Sequence, residues 1–232
     1  MSENPNQNSD VTIVVPCRNE ERTLPEIYAE LKRRGYNVLV PIAKSSIDGT
    51  KAVCEKLGID HFVDSGGGKG IGLTESISHI KTNILVFFDA DGSHSVEEIE
   101  PMVEKLRATG ANMVIGSRIM GGSLELYDGS IESFLRTIFT FTINQIVNTR
   151  FGAHITDTQN GFRAARTASM RAITLTGKTF EIETEMIMKM LKQGMKIEEV
   201  PAREMPRKFG KSGVSIIRHG WRYIACILGN LL

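Results

Sequence analysis

The chain has 232 residues and a formal net charge of +1 at pH 7, from 28 lysines and arginines against 27 acids. This balance provides no broad positive field, so composition argues against a nucleic acid partner. Its three cysteines form no Cys-x-x-Cys pair, which indicates reduced thiols in a cytosolic setting rather than a disulfide framework or a zinc site. No apolar run is long enough to span a bilayer, and the polar residues 1–10 predict a disordered tail rather than a signal peptide.

Short apolar runs alternate with helix-like segments through the first half of the chain. Thr23 and Glu26 form a capping-box pattern before the first helix. The alternation predicts an α/β fold with a mostly parallel sheet and helical crossovers. The apolar runs predict strands at Val11–Val15, Val38–Ile42, Ile59–Val63, Ile84–Phe88 and Met113–Ile115.

Side chains that can bind ligands follow each of these strands. In open α/β sheets, ligands bind at the edge formed by the carboxyl ends of the strands. The convergence of such residues on one edge therefore predicts a site for a nucleotide-type ligand. They are Arg18, Asn19 and Glu20 after the first strand, Asp48 after the second, Lys69 after the third, Asp89 and Asp91 after the fourth, and Arg118 after the fifth.

The pair Asp89 and Asp91 predicts a metal site. Asp-x-Asp places two carboxylates on one side of an extended backbone, where they favour Mg²⁺ or Mn²⁺ with water and substrate phosphates as further ligands. The alternative is a solvated loop after a core strand. Gly66–Gly70 lacks the spacing of a P-loop, so it is either a flexible turn or a turn whose Lys69 helps to hold a phosphate or a base.

The second half contains two apolar segments that the sequence leaves ambiguous. Ile131–Val147 predicts a long helix with apolar residues on more than one face, for burial in the core or in a lipid interface. The tail Ile216–Leu232 predicts either an interfacial amphipathic helix or a helix docked on the core. Gly121–Gly129 predicts a mobile loop, and Asp157–Arg163 a polar turn before another helix.

A basic segment follows the predicted helix from Phe180 and the predicted strand Lys196–Val200. Such a run is usually a solvated face. Because Gly210 and Gly213 lie beside Lys211, it also suits a mobile loop that closes over phosphates with charge-assisted hydrogen bonds. Its members are Arg203, Arg207, Lys208, Lys211, Arg218 and Arg222.

Taken together, the motifs resemble the family 2 glycosyltransferases of the GT-A fold, most closely the dolichyl- or polyprenyl-phosphate mannosyl- and glucosyltransferases. They occur in the order VVPCRNE, DGT, GKG, DAD, GSR, DTQNGFR, FEIETE and RKFGKS. The resemblance implies a Rossmann-like mixed, mostly parallel sheet flanked by helices over residues 11–214. It further implies an amphipathic C-terminal helix, residues 215–232, and membrane-interface helices that hold the protein peripherally on the cytoplasmic membrane face.

The activity implied by this resemblance is inverting transfer of mannose or glucose from a GDP- or UDP-sugar to a polyprenyl or dolichyl phosphate, with Mg²⁺ or Mn²⁺. Asp89 and Asp91 match the acids that hold the metal. Arg18 stands where the family usually has an aromatic residue. The expected donor-binding residues are Pro16, Arg18, Asn19, Glu20, Lys44, Asp48, Lys69, Asp89 and Lys211.

The resemblance also implies catalytic and acceptor-binding residues. Asp157 matches the acid near the transferred sugar, and Arg207 with Lys211 matches the basic loop over the diphosphate. The expected catalytic residues are thus Asp91, Asp157 and Arg207. The expected residues at the acceptor phosphate are Arg118, Arg136 and Thr140.

Three further positions depart from the family pattern. Ala43 and Lys44 stand where the family usually has two acids, one of which commonly meets the base or ribose. Ser93 stands where the mannose branch often has a glutamine ligand to the metal. These departures keep open a nucleotide-sugar-binding module without catalysis. A second alternative is a glycosyltransferase of the same fold with a soluble acceptor, for which Asp157 would be the general base.

Overall fold

The computed structural model of the protein describes residues 8–123, 131–209 and 216–231. Seven strands of this part form one sheet: β1 (Val11–Val14), β2 (Asn37–Ile42), β3 (Asp60–Val63), β4 (Ile84–Phe87), β5 (Met113–Ser117), β6 (Arg163–Arg166) and β7 (Ile197–Pro201). Their order across the sheet is β3-β2-β1-β4-β6-β5-β7.

Helices cover both faces of this sheet. They are α1 (Leu24–Arg33), α2 (Thr50–Leu57), α3 (Lys69–His79), α4 (Ile99–Thr109), α5 (Arg118–Gly121), α6 (Ile131–Phe151), α7 (Thr167–Ala172), α8 (Ile182–Lys192) and α9 (Ile216–Leu231), with a short 3₁₀ turn at Val96–Glu98. The predicted mixed, mostly parallel sheet flanked by helices is confirmed. Of the predicted segments, residues 1–7 of the tail, residues 124–129 of the glycine-rich loop, and Lys211 with its flanking glycines lie outside the described residues.

Strand direction brings the site loops to one edge of the sheet. β1 pairs in parallel with β2 and β4, β2 with β3, and β5 with β7. β6 is antiparallel to both of its neighbours, β4 and β5. The turn before β6 therefore lies at the same edge as the carboxyl ends of β1 to β5.

Alternate residues of each strand enter two separate cores. Ile84 and Val86 of β4 pack in the cluster that contains the buried faces of α1 and α4. Leu85 and Phe87 pack in a second cluster with α3, α6, α8 and α9. This alternation is the two-residue period of a strand that is buried on both faces.

Two local predictions are wrong. The predicted polar turn Asp157–Arg163 leads into strand β6 rather than into a helix. β6 forms at this position because the facing edges of β4 and β5 both pair with it.

The predicted capping box of α1 is also absent. Thr23 makes no side-chain cap to this helix, and its hydroxyl donates to the Glu20 carboxylate at 3.0 Å instead. A capping box does form at Ser95, with Glu98 as the reciprocal acceptor.

The two ambiguous helices each have a core face and an exposed face. On α6, Ile143 and Val147 are buried. On α9, Tyr223 and Ile227 are buried, and the Tyr223 hydroxyl donates to the Phe180 carbonyl at 3.0 Å. The apolar residues on the outer faces are 47% to 80% exposed: Ile131, Phe134, Leu135, Ile138 and Phe141 on α6, and Trp221, Ile224 and Leu228 on α9. None of the helices in the described part of the chain is long and apolar enough to cross a bilayer.

Candidate active site

The loop after β4 carries the two predicted metal-binding acids. The Asp89 side chain is 26% exposed and the Asp91 side chain 9%. The Ser93 amide donates to Asp91 Oδ1 at 2.9 Å, which shapes the turn. Gly92 has a φ of 75°, a region that glycine adopts without the cost paid by other residues. The two acids thus stand on a tight turn near the middle of the sheet, between β1 and β6.

Arg207 from the basic segment pairs with Asp91. Its Nε and Nη2 donate to Asp91 Oδ2 at 2.9 and 2.7 Å. Backbone bonds fix this approach, because the Lys208 amide donates to the Asp91 carbonyl and the Met205 amide to the Ser93 carbonyl. Burial opposes ionisation of Asp91, but hydrogen bonds from Ser93 and the charge of Arg207 outweigh it and lower the pKa of the carboxyl.

Lys69 pairs with Asp89 and also with an acid that sequence reasoning did not select. Its Nζ lies 2.7 Å from Asp89 Oδ1 and 3.2 Å from Glu183 Oε1. Glu183 is 2% exposed and lies in the first turn of α8. The sequence contains a signal, the motif FEIETE, but acids in the first turn of a helix also suit the positive end of the helix dipole, so the motif alone does not indicate a site residue. Burial raises the pKa of Glu183, against the effect of Lys69 and Arg163.

The turn that precedes β6 packs directly on this cluster. A Cβ at Gly161 would lie 2.7 Å from Lys69 Nζ and 2.9 Å from Asp89 Oδ2. The backbone of the turn therefore lies against the ionic groups, and a side chain at this position would displace the ends of the Lys69 and Asp89 side chains. This contact explains the glycine in the motif DTQNGFR.

Asp157 and Arg118 form a buried ion pair below the turn. Arg118 Nε and Nη2 donate to the two oxygens of Asp157 at 2.7 and 3.0 Å, and the backbone amides of Arg118, Gln159 and Asn160 also donate to it. Asp157 is fully buried. Burial opposes its ionisation, but Arg118 lowers the pKa of Asp157. In this arrangement the carboxylate organises the turn, and roles at the sugar for Asp157 and at the acceptor for Arg118 stay predictions.

The loops after β1 and β2 are bound to each other. Asn19, with a φ of 61°, accepts the Ile47 amide on its side-chain oxygen at 2.8 Å. Asp48 accepts the amides of Glu21 and Thr50, each at 3.0 Å, and these and other hydrogen bonds outweigh burial and lower the pKa of Asp48. The predicted donor residues of these loops thus lie together, with Arg18 exposed and Pro16 and Glu20 half-buried.

A second missed acid holds the Lys44 loop against the glycine-rich turn. Asp64, at the end of β3, accepts the backbone amides of Lys44 and Gly66, each at 2.9 Å. It is 5% exposed. A Cβ at Gly66 would lie 3.3 Å from the Lys44 side chain. Lys44 is therefore placed over the glycine-rich turn that leads to Lys69.

The predicted acceptor residues on α6 face the same turn. The Thr140 hydroxyl donates to Gln159 Oε1 at 2.7 Å. Arg136 lies one helical turn earlier and is half-buried, so it shares a face with Thr140. Their binding of a phosphate stays a prediction, but the structure brings Thr140 into contact with the turn 157–162.

The donor set at Asp89 and Asp91 fits a divalent cation that is shared with a substrate. Mg²⁺ is usually held by one or two carboxylates and by substrate phosphates rather than by an all-protein cage. Among the described residues, no group of three or more His, Cys, Asp or Glu side chains could hold a metal. The two carboxylates on this turn therefore match a cation whose remaining ligands come from substrate phosphates, rather than one enclosed by protein ligands.

Comparisons with known proteins found a family model and several similar sequences. The family model described as "Glycosyl transferase family 2" matches residues 12–174. An uncharacterised protein of Methanocaldococcus jannaschii is 31% identical, over 90% of this chain and 87% of its own. The polyprenol monophosphomannose synthase of Mycolicibacterium smegmatis is 26% identical, over 88% of this chain and 80% of its own.

A solved structure has the same fold. It is the glucosyl-3-phosphoglycerate synthase of Mycobacterium tuberculosis in complex with Mn²⁺, UDP-glucose and phosphoglyceric acid. The TM-score is 0.72, with 17% identity over 95% of this chain and 79% of that chain. The likeness identifies the expected GT-A architecture and, at this identity, shows the fold alone.

Proposed function

The chain belongs to glycosyl transferase family 2, and within this family we propose that it transfers mannose or glucose from a GDP- or UDP-sugar to a polyprenyl phosphate at a membrane surface. The similarity to a polyprenol monophosphomannose synthase supports this acceptor. The observation that carries the proposal is on α6. On the inner face of this helix, Thr140 donates a hydrogen bond to Gln159 in the turn beside the site. The outer face of the helix is an exposed apolar surface.

The residues of the sheet edge suit a nucleotide diphosphate donor. Asp89 and Asp91 would hold Mg²⁺ or Mn²⁺, which when bound supplies positive charge beside the leaving diphosphate. The glucosyl-3-phosphoglycerate synthase of similar fold was solved in complex with Mn²⁺ and UDP-glucose. Lys69 and Arg207 already lie beside these acids and would add charge-assisted hydrogen bonds to the phosphates.

The reaction is a single displacement with inversion. An oxygen of the acceptor phosphate forms a bond to the anomeric carbon, and the bond from that carbon to the diphosphate oxygen breaks with its electron pair. A phosphate monoester has a second pKa of about 6, so the nucleophile is largely anionic near neutral pH without a strong base. Arg136 and Thr140 would position it, and Arg207 would stabilise the charge on the departing diphosphate.

The exposed apolar residues of α6 and α9 would place the protein on the bilayer. Amphipathic helices bury such faces at the boundary between headgroups and acyl chains. A polyprenyl phosphate could then present its phosphate to the inner face of α6 while its chain stays in lipid. This arrangement corresponds to peripheral association with the cytoplasmic membrane face.

A small phosphorylated acid is the second candidate acceptor. It is favoured by the phosphoglyceric acid bound in the structural relative. Such an acceptor also carries a phosphate that the site could bind, but it needs no membrane, and its hydroxyl as nucleophile would need a general base. The lipid acceptor is preferred because it gives the exposed apolar faces a function.

Nucleotide release from a panel of GDP- and UDP-sugars tests the proposal. The full chain is incubated with Mg²⁺ or Mn²⁺ and with no acceptor, a short polyprenyl phosphate or phosphoglyceric acid, and Asp91→Ala serves as the inactive control. Lipid-dependent release from one donor, lost in Asp91→Ala, is the expected result. Release that occurs only with phosphoglyceric acid would favour the second candidate, and donor binding without release on any acceptor would indicate a binding module.

A further inference from the structure

Glu183 is the one residue of the ionic cluster at Asp89 to which neither the motifs nor the proposed mechanism gives a function. It lies on α8, and its side chain reaches Lys69 Nζ with Oε1 at 3.2 Å. Its other oxygen, Oε2, is buried and has no hydrogen-bond partner among the described residues. A buried carboxylate oxygen without a donor is costly, so this arrangement requires a reason.

Lys69 stands between two carboxylates that compete for it. The shorter contact, 2.7 Å, is to Asp89, and the longer, 3.2 Å, is to Glu183. Gly161 closes the cluster from above, because a Cβ there would meet both Lys69 and Asp89. The ammonium of Lys69 therefore has little room to leave the cluster, but a small displacement would change which of the two carboxylates it pairs with.

We infer that Glu183 is a positioning residue that draws Lys69 away from Asp89 when a divalent cation binds there. The inference rests on the proposed function, since it takes Asp89 as a metal ligand. Without a second anionic partner, Lys69 would have to give up an ion pair in a buried setting to release Asp89. With Glu183 present, the ammonium keeps one carboxylate partner, and the unpartnered Oε2 offers it a second contact.

Glu183→Gln separates this role from general packing. Glutamine has the same shape and still accepts a hydrogen bond from Lys69, but it offers no charge to compete with Asp89. Removing a residue that supports a metal ligand typically costs 10–100-fold in metal affinity. We therefore expect Mn²⁺ to bind the full-length variant roughly tenfold more weakly or worse, with wild-type thermal unfolding.

A double-mutant cycle identifies the route of the effect. In a Lys69→Met background there is no ammonium to move, so adding Glu183→Gln should leave the Mn²⁺ affinity unchanged. Glu185→Gln is the matched control: this acid is equally buried on the same helix, but it binds Lys189 and the amides of Thr176 and Gly177. Its Mn²⁺ affinity should equal that of the wild type.

Mn²⁺ titration by calorimetry, with and without UDP or GDP, decides between the outcomes. Loss of affinity in Glu183→Gln that disappears with Lys69→Met supports the inference. An unchanged affinity, or an equal loss in both backgrounds, overturns it while the metal site itself stands. If the wild type binds no Mn²⁺ even with nucleotide, the metal assignment of the proposed function fails, and the inference fails with it.

Discussion

Arg207 donates two hydrogen bonds to one oxygen of Asp91, from Nε at 2.9 Å and from Nη2 at 2.7 Å. At the neighbouring acid, Lys69 Nζ lies 2.7 Å from Asp89. Both acids of the Asp-x-Asp turn are thus neutralised by side chains from distant parts of the chain. Two carboxylates on one turn would otherwise repel each other, so these cations stabilise the turn.

The ion pair between Arg207 and Asp91 predicts that Arg207→Gln has opposite effects on metal binding and on turnover. In Arg207→Gln, Asp91 loses its internal competitor, so Mn²⁺ should bind the free protein more tightly. Turnover should fall by roughly 10²–10³-fold, the typical cost of removing a donor that stabilises transition-state charge. Steady-state kinetics and Mn²⁺ titration measure the two effects. Arg203→Gln, an exposed neighbour in the same segment, should change neither, and a parallel fall in both quantities for Arg207→Gln would contradict the argument.

Gly161 predicts a steric effect on the same cluster. In Gly161→Ala the added Cβ would lie 2.7 Å from Lys69 Nζ, so the turn or the ammonium must shift. Overpacking of this kind costs about 1–3 kcal/mol, and donor turnover should fall with it. Urea unfolding measures the stability change.

Gly229→Ala is the control for this substitution. Within the described part of the chain, and apart from the adjoining residues and backbone of α9 itself, no atom lies within 4 Å of a Cβ built at Gly229, so the added methyl has space. Alanine is favoured over glycine in a helix by about 0.5–1 kcal/mol, so stability should rise slightly. If Gly161→Ala behaved in the same way, the turn would not be held against Lys69.

The sequence could predict the site acids but not their partners. Asp89 and Asp91 end an apolar run, and the rule for parallel sheets places them at the ligand-binding edge. Glu183 and Lys69 are 114 positions apart in the sequence, 183 minus 69, but their side chains form an ion pair. Such a contact depends on how α8 packs against α3, which local patterns do not encode. Asp64 was missed for a different reason, because it binds backbone amides and belongs to no recognisable motif.

The missed strand β6 has a similar explanation. Its sequence, Arg163-Ala164-Ala165-Arg166, contains no β-branched or aromatic residue, the types that are enriched in strands. The strand exists because β4 and β5 both leave an edge for it. The two central alanines are fully buried between these neighbours. Tertiary context therefore decided this element, whereas the apolar strands around it were predictable.

The buried pair of Asp157 and Arg118 predicts a large loss of stability. Asp157→Asn leaves the Arg118 guanidinium without its main partner, and breaking a buried pair in this way typically costs about 3–5 kcal/mol. Urea unfolding at neutral pH measures the change. A double variant, Arg118→Met with Asp157→Asn, removes both charges but keeps a side-chain oxygen that can accept the backbone amides of the turn, and it should recover part of the loss. If Asp157→Asn were as stable as the wild type, the pair would not hold the turn 157–162.

The same pair predicts a specific dependence on pH. The folded-state pKa of Asp157 is lowered, whereas an unfolded aspartate titrates at about 3.9. Its stabilising contribution is therefore fully present above about pH 5 and is lost as the pH falls through about 3.9 towards the folded-state pKa. The free energy of unfolding should decrease less steeply over this acid range in Asp157→Asn than in the wild type. Equal slopes would show that Asp157 titrates alike in both states.

The exposed faces of α6 and α9 predict binding to lipid vesicles. Phe134 and Trp221 are 64% and 62% exposed, and such apolar residues insert at the headgroup boundary. Full burial of a large apolar side chain contributes about 1.5–3 kcal/mol, so Phe134→Glu and Trp221→Glu should each weaken binding to anionic phospholipid vesicles by roughly tenfold or more. Vesicle cosedimentation measures this binding.

Kinetics on two forms of the acceptor distinguish lipid binding from damage to the site. In both variants, transfer to a polyprenyl phosphate in vesicles should fall, while transfer to a short acceptor free in solution should stay at the wild-type rate. Leu57→Glu on α2 is the control, because Leu57 is 39% exposed but lies on neither helix. If all three variants sedimented with vesicles as the wild type does, the apolar faces would not be the membrane surface, and the acceptor would have to reach Arg136 and Thr140 from solution.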